Sequence, residues 1–395
     1  MSRSRRGRAG SVAVIGLVAV VGIACNGPIL AVPPVERPVR PVASPRPSPP
    51  PDPIPIAMPR DDGPHGRLTE WWYYTGHLAD ASGGRYGFEF VVFRAERGAF
   101  PVSWASHLAV TDETGGRFLY AQRSQVGPGV DVSPSGDDGP VGFAFRVVGD
   151  EPVSRAPDDP TWEMTRLDGA DRLQATMSDA EARTAGSTGA SGLDLHVETD
   201  RQPVLHDLDG WIDFGTAGGS YYYSRTRMTA IGTLTLDGEA RQVRGTAWFD
   251  HQWGDFIAVG GGGWDWFAVG LEDGTDLTIS QVRDRSGAYP LVYGTLVDSA
   301  GSVQSLPRES LTVAVTDRWI SPRTGADYPA GWTIAIPSRG LDVRLRPTVA
   351  DQELDTRSTT GVVYWEGSQD VRAMRDGRSL GGEAYVELTG YADDG

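Results

Sequence analysis

The sequence predicts an all-β protein made of two antiparallel β-domains in tandem. Glycine is abundant, with 51 residues, and 12 tryptophans occur in the 395-residue chain. Short segments with apolar side chains at every second position recur, and Asp-Gly or Gly-Gly pairs separate them. This period is typical of strands with one buried face, and such pairs are typical of hairpin turns. Helix is weakly predicted only near 178–185, so the pattern favours a sandwich or a barrel.

Residues 1–24 are predicted to be an export signal. The basic start MSRSRRGRAG precedes the apolar run SVAVIGLVAVVGIA, which is short for a membrane-spanning helix. Cys25, the sole cysteine, follows directly. This order resembles a bacterial lipobox, in which the cysteine is lipidated and becomes the mature N-terminus. The alternative is an ordinary signal peptide or an N-terminal anchor with an incidental cysteine.

Residues 25–60 are predicted to form a proline-rich tether. Proline recurs throughout this segment, as in PRPSPPPDPIP. Such a composition disfavours helix and central strand and favours extended polyproline II, which acts as a semi-rigid spacer. A spacer suits a globular body that must stand clear of a membrane, and folding is predicted to begin at Asp61.

The two β-domains are predicted over residues 61–228 and 229–395. In RYGFEFVVFR, Phe88 and Phe90 share one face of a strand, and IGTLTLDG alternates in the same way. WWYYTGHLADASGGRYGFEFVVFR aligns with WDWFAVGLEDGTDLTISQVR, which pairs Trp72 with Trp266. An internal duplication explains this match, and convergence of two hairpins is the alternative.

Several long segments carry a family resemblance. EWWYYTGHL, YGFEFVVFR, GTAWFDHQWGDF, WDWFAVGLEDG and GEAYVELTGY occur in this order. They resemble the carotenoid 1,2-hydratase family, also described as AttH-like or as secreted lipocalin-like "hydrolases". The resemblance implies two packed lipocalin-like β-barrels with an apolar cavity. Proteins resembling this family include hydratases of carotenoid end groups, pericyclases and exported proteins of unknown role, and the predicted export signal favours the exported branch.

The segment FDHQWG supplies the first candidate catalytic residues. Strand alternation places His251 and Trp253 on one face and Asp250 on the other. The resemblance to the family hydratases implies an acid or water-positioning role for His251 and a cation-stabilising role for Trp253. A carboxyl group with a raised pKa is also a possible acid, which makes Asp250 a candidate. The alternative is that Asp250 and His251 form a structural pair at the seam between the domains.

Asp265 is the second candidate carboxylate, because it stands between Trp264 and Trp266. Desolvation by indole rings would raise its pKa and suit it to general acid catalysis. The alternative is a turn or salt-bridge residue. The two tryptophans are predicted to contact the ligand. Four further aromatic residues are predicted to line the cavity, with core packing as the alternative for each: Trp72, Tyr74, Trp104 and Tyr223.

Composition and spacing argue against several functions. The chain carries 36 Lys and Arg against 52 Asp and Glu, a net charge of −16, so no nucleic-acid partner is expected. The six histidines are scattered without a metal-binding spacing, so no metal or cofactor is predicted. No G-x-S-x-G segment of a serine hydrolase occurs in the sequence.

Two functions remain open from the sequence. The first is an acid-catalysed hydratase or isomerase acting on an isoprenoid or polyene. The second is a non-enzymatic carrier of the cell envelope that holds the same kind of hydrophobic small molecule. In both cases the protein is expected to be exported and either attached to a bacterial membrane through Cys25 or periplasmic.

Overall fold

The computed structural model describes residues 52–136, 139–149, 160–256 and 261–392. The predicted export signal, the lipidation site at Cys25 and most of the predicted tether lie outside these residues. Within them, no helix combines the length and the apolar character that crossing a bilayer requires. The protein is nearly all-β, as predicted, with one nearly closed barrel and one half-barrel.

The barrel is an antiparallel sheet of twelve strands within the described ranges, and a separate two-stranded ribbon lies beside it. In this part of the chain β5 and β6 form the ribbon, and the other described strands form the barrel. In chain order the strands are β1 (Thr69–Asp80), β2 (Arg85–Ala95), β3 (Ser103–Asp112), β4 (Arg117–Val126), β5 (Ser135–Gly136), β6 (Gly139–Pro140), β7 (Phe143–Val147), β8 (Trp162–Leu167), β9 (Ala170–Thr176), β10 (Gly192–Glu198), β11 (Val204–Leu205), β12 (Trp211–Asp213), β13 (Gly219–Leu236) and β14 (Glu239–Gly254).

The half-barrel is an antiparallel sheet of eleven described strands. They are β15 (Gly261–Leu271), β16 (Asp276–Asp284), β17 (Leu291–Val297), β18 (Val303–Pro307), β19 (Thr312–Ile320), β20 (Asp327–Ile336), β21 (Leu341–Pro347), β22 (Glu353–Asp355), β23 (Val363–Arg375), β24 (Arg378–Leu380) and β25 (Gly382–Thr389). The helices that the structure describes are short: α1 (Asp179–Thr184) and four 3-10 turns at Arg60–Asp62, Gly215–Ala217, Arg308–Ser310 and Pro337–Arg339.

Both sheets follow one plan. In the barrel the order begins β4-β3-β2-β1 and continues with β14 and β13, and in the half-barrel it begins β18-β17-β16-β15 and continues with β25 and β23. Each sheet therefore pairs its first strand with its last. The sheet changes after Gly254, so the predicted boundary between residues 228 and 229 is misplaced and falls inside β13. The long β13–β14 hairpin turns at Asp237-Gly238, so this Asp-Gly pair joins two strands of the barrel sheet.

The barrel interior is filled by its own aromatic side chains. Trp72, Phe88, Phe143, Phe145 and Trp162 are fully buried there. These rings pack against one another in the barrel core. A close-packed interior of this kind leaves few voids larger than a water molecule.

A buried arginine brings the two ends of the barrel sheet together. Arg123 on β4 donates to the Val147 carbonyl on β7 at 3.4 Å and to the Pro160 carbonyl at 2.6 Å. Its guanidinium also lies 4.2 Å from the ring centroid of Trp162. These contacts hold β4 beside β7, which makes the barrel nearly closed.

The end of the predicted tether packs against the barrel. The Ile54 amide donates to the Tyr221 hydroxyl at 2.7 Å, and Arg67 binds the Asp52 carboxylate at 2.6 Å. Ile56 and Met58 contact the core. The packed body therefore begins before Asp61, within the segment that proline content alone had assigned to a spacer.

Candidate functional site

The outer faces of the barrel and the half-barrel meet in an aromatic contact. Its buried members are Tyr73, Val91, Trp248, Trp266, Ala268 and Tyr385. Tyr73 packs edge-on against Trp266 with ring centroids 5.4 Å apart, and Trp71 stacks with Trp264 at 6.5 Å. These side chains alternate along their strands with residues of the two cores, so the contact uses the second face of each sheet.

Four carboxyl groups lie within this contact, and we call them, with their aromatic neighbours, the inter-sheet site. It consists of Tyr73, Glu89, Asp250, Trp266, Tyr364, Glu366 and Glu387. None of the four carboxylates forms a salt bridge with any residue that the structure describes. Burying a charge without a counter-charge is costly, so such groups tend to take up protons.

Asp250 is held by three donors from the barrel sheet. It accepts hydrogen bonds from the Trp248 indole at 2.8 Å, from the Tyr222 hydroxyl at 2.5 Å and from the Ser224 hydroxyl. Trp266 of the half-barrel donates to the same tyrosine oxygen at 2.9 Å. Burial raises the pKa of Asp250 to about 6, although these donors oppose the rise. The donors occupy both carboxylate oxygens, so the role that suits Asp250 is to hold the neighbouring tyrosine, serine and tryptophan side chains in place.

Glu366 and Glu89 each keep one oxygen free. The Tyr73 hydroxyl donates to Glu366 Oε1 at 2.6 Å, and the Tyr364 hydroxyl donates to Glu89 Oε1 at 2.9 Å. Within the described part of the chain, Oε2 of either glutamate has no hydrogen-bond partner. Burial first, and then the neighbouring carboxylates, raise the pKa of both groups. Each can therefore carry a proton at neutral pH on a buried oxygen that has no hydrogen-bond partner among the described residues.

Glu387 completes the set of carboxyl groups. Burial and the charge of Asp250 raise its pKa to about 7, against an opposing hydrogen bond from Trp264. Its side chain keeps some accessible surface, unlike Glu89 and Glu366. Glu387 is therefore less enclosed than the buried pair.

A polar cleft opens at one end of the contact. It has a volume of about 60 Å³ and shares Trp248, Ala268 and Tyr385 with the aromatic contact. His77 and Arg227 add polar groups to its wall. Since a water molecule occupies about 30 Å³ of liquid, the cleft has room for a few waters and not for a polyene.

The three predicted catalytic residues lie in three different places. Asp250 faces the half-barrel, whereas His251 lies inside the barrel, with its ring stacked 4.7 Å from Trp72. Asp265 lies on the core side of the half-barrel, where Arg283 binds it at 2.9 Å and Tyr289 and Tyr391 donate to it. Strand alternation separates Asp250 from His251, as the sequence indicated, and Asp265 lies apart from both. Asp265 is a salt-bridge residue, which was the alternative.

The predicted ligand-binding residues are divided in the same way. Trp264 and Trp266 lie at the contact between the sheets. The other five belong to the barrel core: Trp72, Tyr74, Trp104, Tyr223 and Trp253. Packing was the stated alternative for most of them, and the structure places them there.

A second polar cluster lies at the rim of the barrel interior. His65 Nδ1 lies 2.7 Å and His251 Nε2 lies 3.0 Å from Glu70 Oε1. The His65 amide donates to Glu70 Oε2 at 2.9 Å. Glu70 and His251 are fully buried, and the His65 side chain is 19% exposed. These three groups offer ligand atoms that lie within 4.8 Å of one another, which a metal ion would require.

Sequence reasoning missed the glutamates of the inter-sheet site. Glu89, Glu366 and Glu387 occur in GFEFVVF, VYWEGS and YVELTG, each within an apolar strand. A lone carboxylate in the middle of such a strand is rare unless it is paired or functional. That signal was present in the sequence, although it does not say which strands would face one another.

Comparison with known proteins identifies the family. The model of the AttH-like family matches residues 49–391, which is most of the chain. The chain belongs to the AttH-like family. The sequence resemblance is thereby confirmed, and no curated protein matches the sequence significantly.

Solved structures share the fold of this AttH-like protein. An AttH-like protein from Nitrosomonas europaea is 28% identical with a TM-score of 0.70, covering 86% of this chain and 98% of that chain. Kievitone hydratase from Nectria haematococca is 16% identical with a TM-score of 0.62, covering 85% and 93%. CghA, solved with Sch210972, is 15% identical with a TM-score of 0.53, covering 83% and 89%. The last two likenesses show the fold alone.

Proposed function

We propose that this AttH-like protein is an acid catalyst that hydrates or isomerises an apolar, unsaturated small molecule between its two sheets. One observation carries the proposal: Glu366 and Glu89 are buried carboxyl groups with raised pKa and with one free oxygen each. A carboxyl group that stays protonated at neutral pH is what proton transfer to an alkene carbon requires.

The proposed reaction begins when the acid proton of Glu366 or Glu89 is transferred to an alkene carbon. The π electrons form the new C–H bond, and a carbocation remains on the neighbouring carbon. The faces of Trp266 and Tyr73 stabilise this cation through their ring quadrupoles. Water then forms the C–O bond and returns a proton to the carboxylate, so the net change is addition of water. Loss of a proton from a different carbon gives isomerisation instead.

The polar cleft is the proposed source of water in this reaction. It adjoins Trp248 and Tyr385 at one end of the contact, while Trp71 and Trp264 stack at another part of the same contact. An isoprenoid or polyene needs more room than the cleft has, so its binding must separate aromatic side chains that now touch. We propose that the two sheets move apart slightly on binding.

Export and attachment of lipid to Cys25 belong to the same proposal. An apolar substrate dissolves in membranes, and a lipid anchor would hold the protein beside that reservoir. The cell envelope of a bacterium is therefore the proposed location, with the segment between Cys25 and the barrel spanning the gap.

The test uses purified protein and a panel of acyclic carotenoids and isoprenoids in ¹⁸O-labelled water. We expect labelled alcohol as product, and we expect Glu366→Gln or Glu89→Gln to lower the rate about 100-fold or more, because glutamine cannot donate the proton. Glu309→Gln, at an exposed glutamate, is the matched control and should leave the rate unchanged.

Two outcomes would count against an enzyme. If the panel binds and no product forms, the protein is the carrier that the sequence left open. If both glutamine variants keep the full rate while folded, the acid is not in the inter-sheet site.

A further inference from the structure

We propose that His65, Glu70 and His251 form a binding site for one divalent transition-metal ion, with Zn²⁺ as the best match. The inference is independent of the proposed function, because these side chains lie at the barrel rim and not between the sheets. Two histidines and one glutamate are a common ligand set for zinc sites that keep a fourth position open.

The ligand atoms already converge on one point. Glu70 Oε1 lies 2.7 Å from His65 Nδ1 and 3.0 Å from His251 Nε2. Zn–N and Zn–O bonds of about 2.1 Å in a tetrahedron place ligand atoms about 3.4 Å apart. Glu70 Oε1 and each of the two histidine nitrogens would therefore separate by about half an ångström to admit the ion. The backbone N–H of His65 donates to Glu70 Oε2 at 2.9 Å and at the longer distance of 3.2 Å to Oε1, so Oε1 is the oxygen assigned to the ion.

Different parts of the fold supply the ligands and fix them. Glu70 on β1 pairs with Trp253 on β14, two residues from His251, so the sheet register sets two of the ligands. His65 belongs to the segment that precedes β1, and its ring stacks on Trp253 with centroids 4.1 Å apart and planes 1° from parallel. Because rigid strands and a stacked ring hold the three ligands, their side chains have little conformational freedom.

Each histidine also has a partner for its second nitrogen. His65 Nε2 lies 3.3 Å from Asp61 Oδ1, and His251 Nδ1 lies 3.3 Å from the Tyr223 hydroxyl. Tyr223 in turn donates to Asp62 at 2.6 Å. Metal-bound histidines almost always have such an outer partner, which selects the tautomer and orients the ring.

The environment leaves one side of the site accessible. Glu70 and His251 are fully buried, and Trp72 stacks on His251. His65 alone keeps 19% of its side chain exposed. The fourth position of the ion would therefore lie toward His65 and solvent, where a water can complete the coordination.

The test measures Co²⁺ and Zn²⁺ binding to the purified full chain after removal of metals by a chelator. We expect one ion per chain, seen as the visible absorption of tetrahedral Co²⁺ that Zn²⁺ then removes. His65→Asn should weaken binding by about 100-fold or more, because a direct ligand should matter at least as much as the outer partners, whose loss costs 10–100-fold. His65 lies at the rim, so this variant should stay folded.

His196→Asn is the matched control, since His196 is exposed on β10, and it should bind the ion as the native protein does. Asp61→Asn should weaken binding by about 10-fold through His65. Absence of one-to-one binding to the folded protein, or equal binding by His65→Asn, would show that the cluster is only a hydrogen-bonded network. Glu70→Gln, if folded, should lose the cobalt absorption as well.

Discussion

At the residue scale, buried carboxyl groups in this protein differ in what surrounds them. Asp265 has Arg283 at 2.9 Å, and Asp276 has Arg227 at 2.7 Å. Glu366 has instead a tyrosine hydroxyl and other carboxylates around it. Burial raises the pKa of all three groups, but the arginines oppose that rise at Asp265 and Asp276, whereas no cation opposes it at Glu366. This difference separates the candidate acid from the structural acids.

Glu387→Gln should make stability less dependent on pH. The pKa of Glu387 is raised from 4.5 to about 7 in the folded protein, so folding favours its protonated form. Its contribution to stability is full below pH 4.5 and is lost as pH rises through about 7. The native protein should therefore lose stability over this range, and the variant should lose less. Urea unfolding at several pH values measures this, with Glu309→Gln as control.

Asp250→Ala should destabilise the protein by about 3 kcal/mol, because it leaves the Tyr222 hydroxyl and the Trp248 indole N–H buried without their acceptor. The exposed Asp342→Ala should change stability by less than about 0.5 kcal/mol. Urea unfolding at pH 7 compares the two. An equal, small effect of both variants would mean that the donors find other partners.

At the element scale, strands β1 and β14 serve two sites with their two faces. Tyr73 and Asp250 point to the half-barrel, and Glu70 and His251 point into the barrel. The pairing of β1 with β14 also joins the first and last strands of the barrel sheet. A change in this pairing should therefore affect both sites at once.

Gly245→Ala should disrupt that pairing. A Cβ atom at Gly245 would lie 1.8 Å from the His77 carbonyl oxygen of β1, so the two backbones would have to separate. We expect a loss of about 3 kcal/mol or more in the free energy of unfolding. Gly66→Ala is the control, since the nearest atom to its Cβ would be a Glu96 oxygen at 3.9 Å. Similar melting temperatures of the two variants would contradict this reading of the strand register.

Alternation along single strands correctly predicted which face a side chain takes. The alignment of the two halves, however, treated residues on different faces as equivalent. Asp250 and His251 do point to opposite faces, as the sequence indicated. The alignment of the two halves paired Trp72 with Trp266, yet Trp72 faces the barrel core and Trp266 faces the sheet contact. A shift of one residue in the alignment exchanges the two faces of a strand, and similarity between two short sequences does not reveal such a shift.

At the scale of the whole molecule, the inter-sheet site exists only because the two sheets pack together. The Tyr73–Glu366 bond joins β1 to β23, and the Tyr364–Glu89 bond joins β23 to β2. Trp71, Tyr73 and Trp248 cover one side of the contact. Neither the barrel nor the half-barrel holds the complete set of groups.

A fragment of residues 52–256 should expose this aromatic surface. Trp71, Tyr73, Phe93 and Trp248 would lose their cover, and exposed apolar patches of this kind promote association. We expect the fragment to bind a hydrophobic dye and to associate, whereas residues 52–392 should do neither. Dye fluorescence and light scattering measure both effects. A monomeric fragment that binds no dye would show that the barrel does not depend on its partner sheet.

The sequence by itself determined the all-β class, the repeated plan, the family and the faces of single strands, because strand periodicity and long motifs are local properties. It did not determine which faces meet. Glu70 and His251 are far apart along the chain, as are Glu89 and Glu366, and strand pairing or sheet packing brings each pair together. Whether a buried acid has a cation beside it depends on that packing, so only the tertiary structure decided between Asp265 and the glutamates.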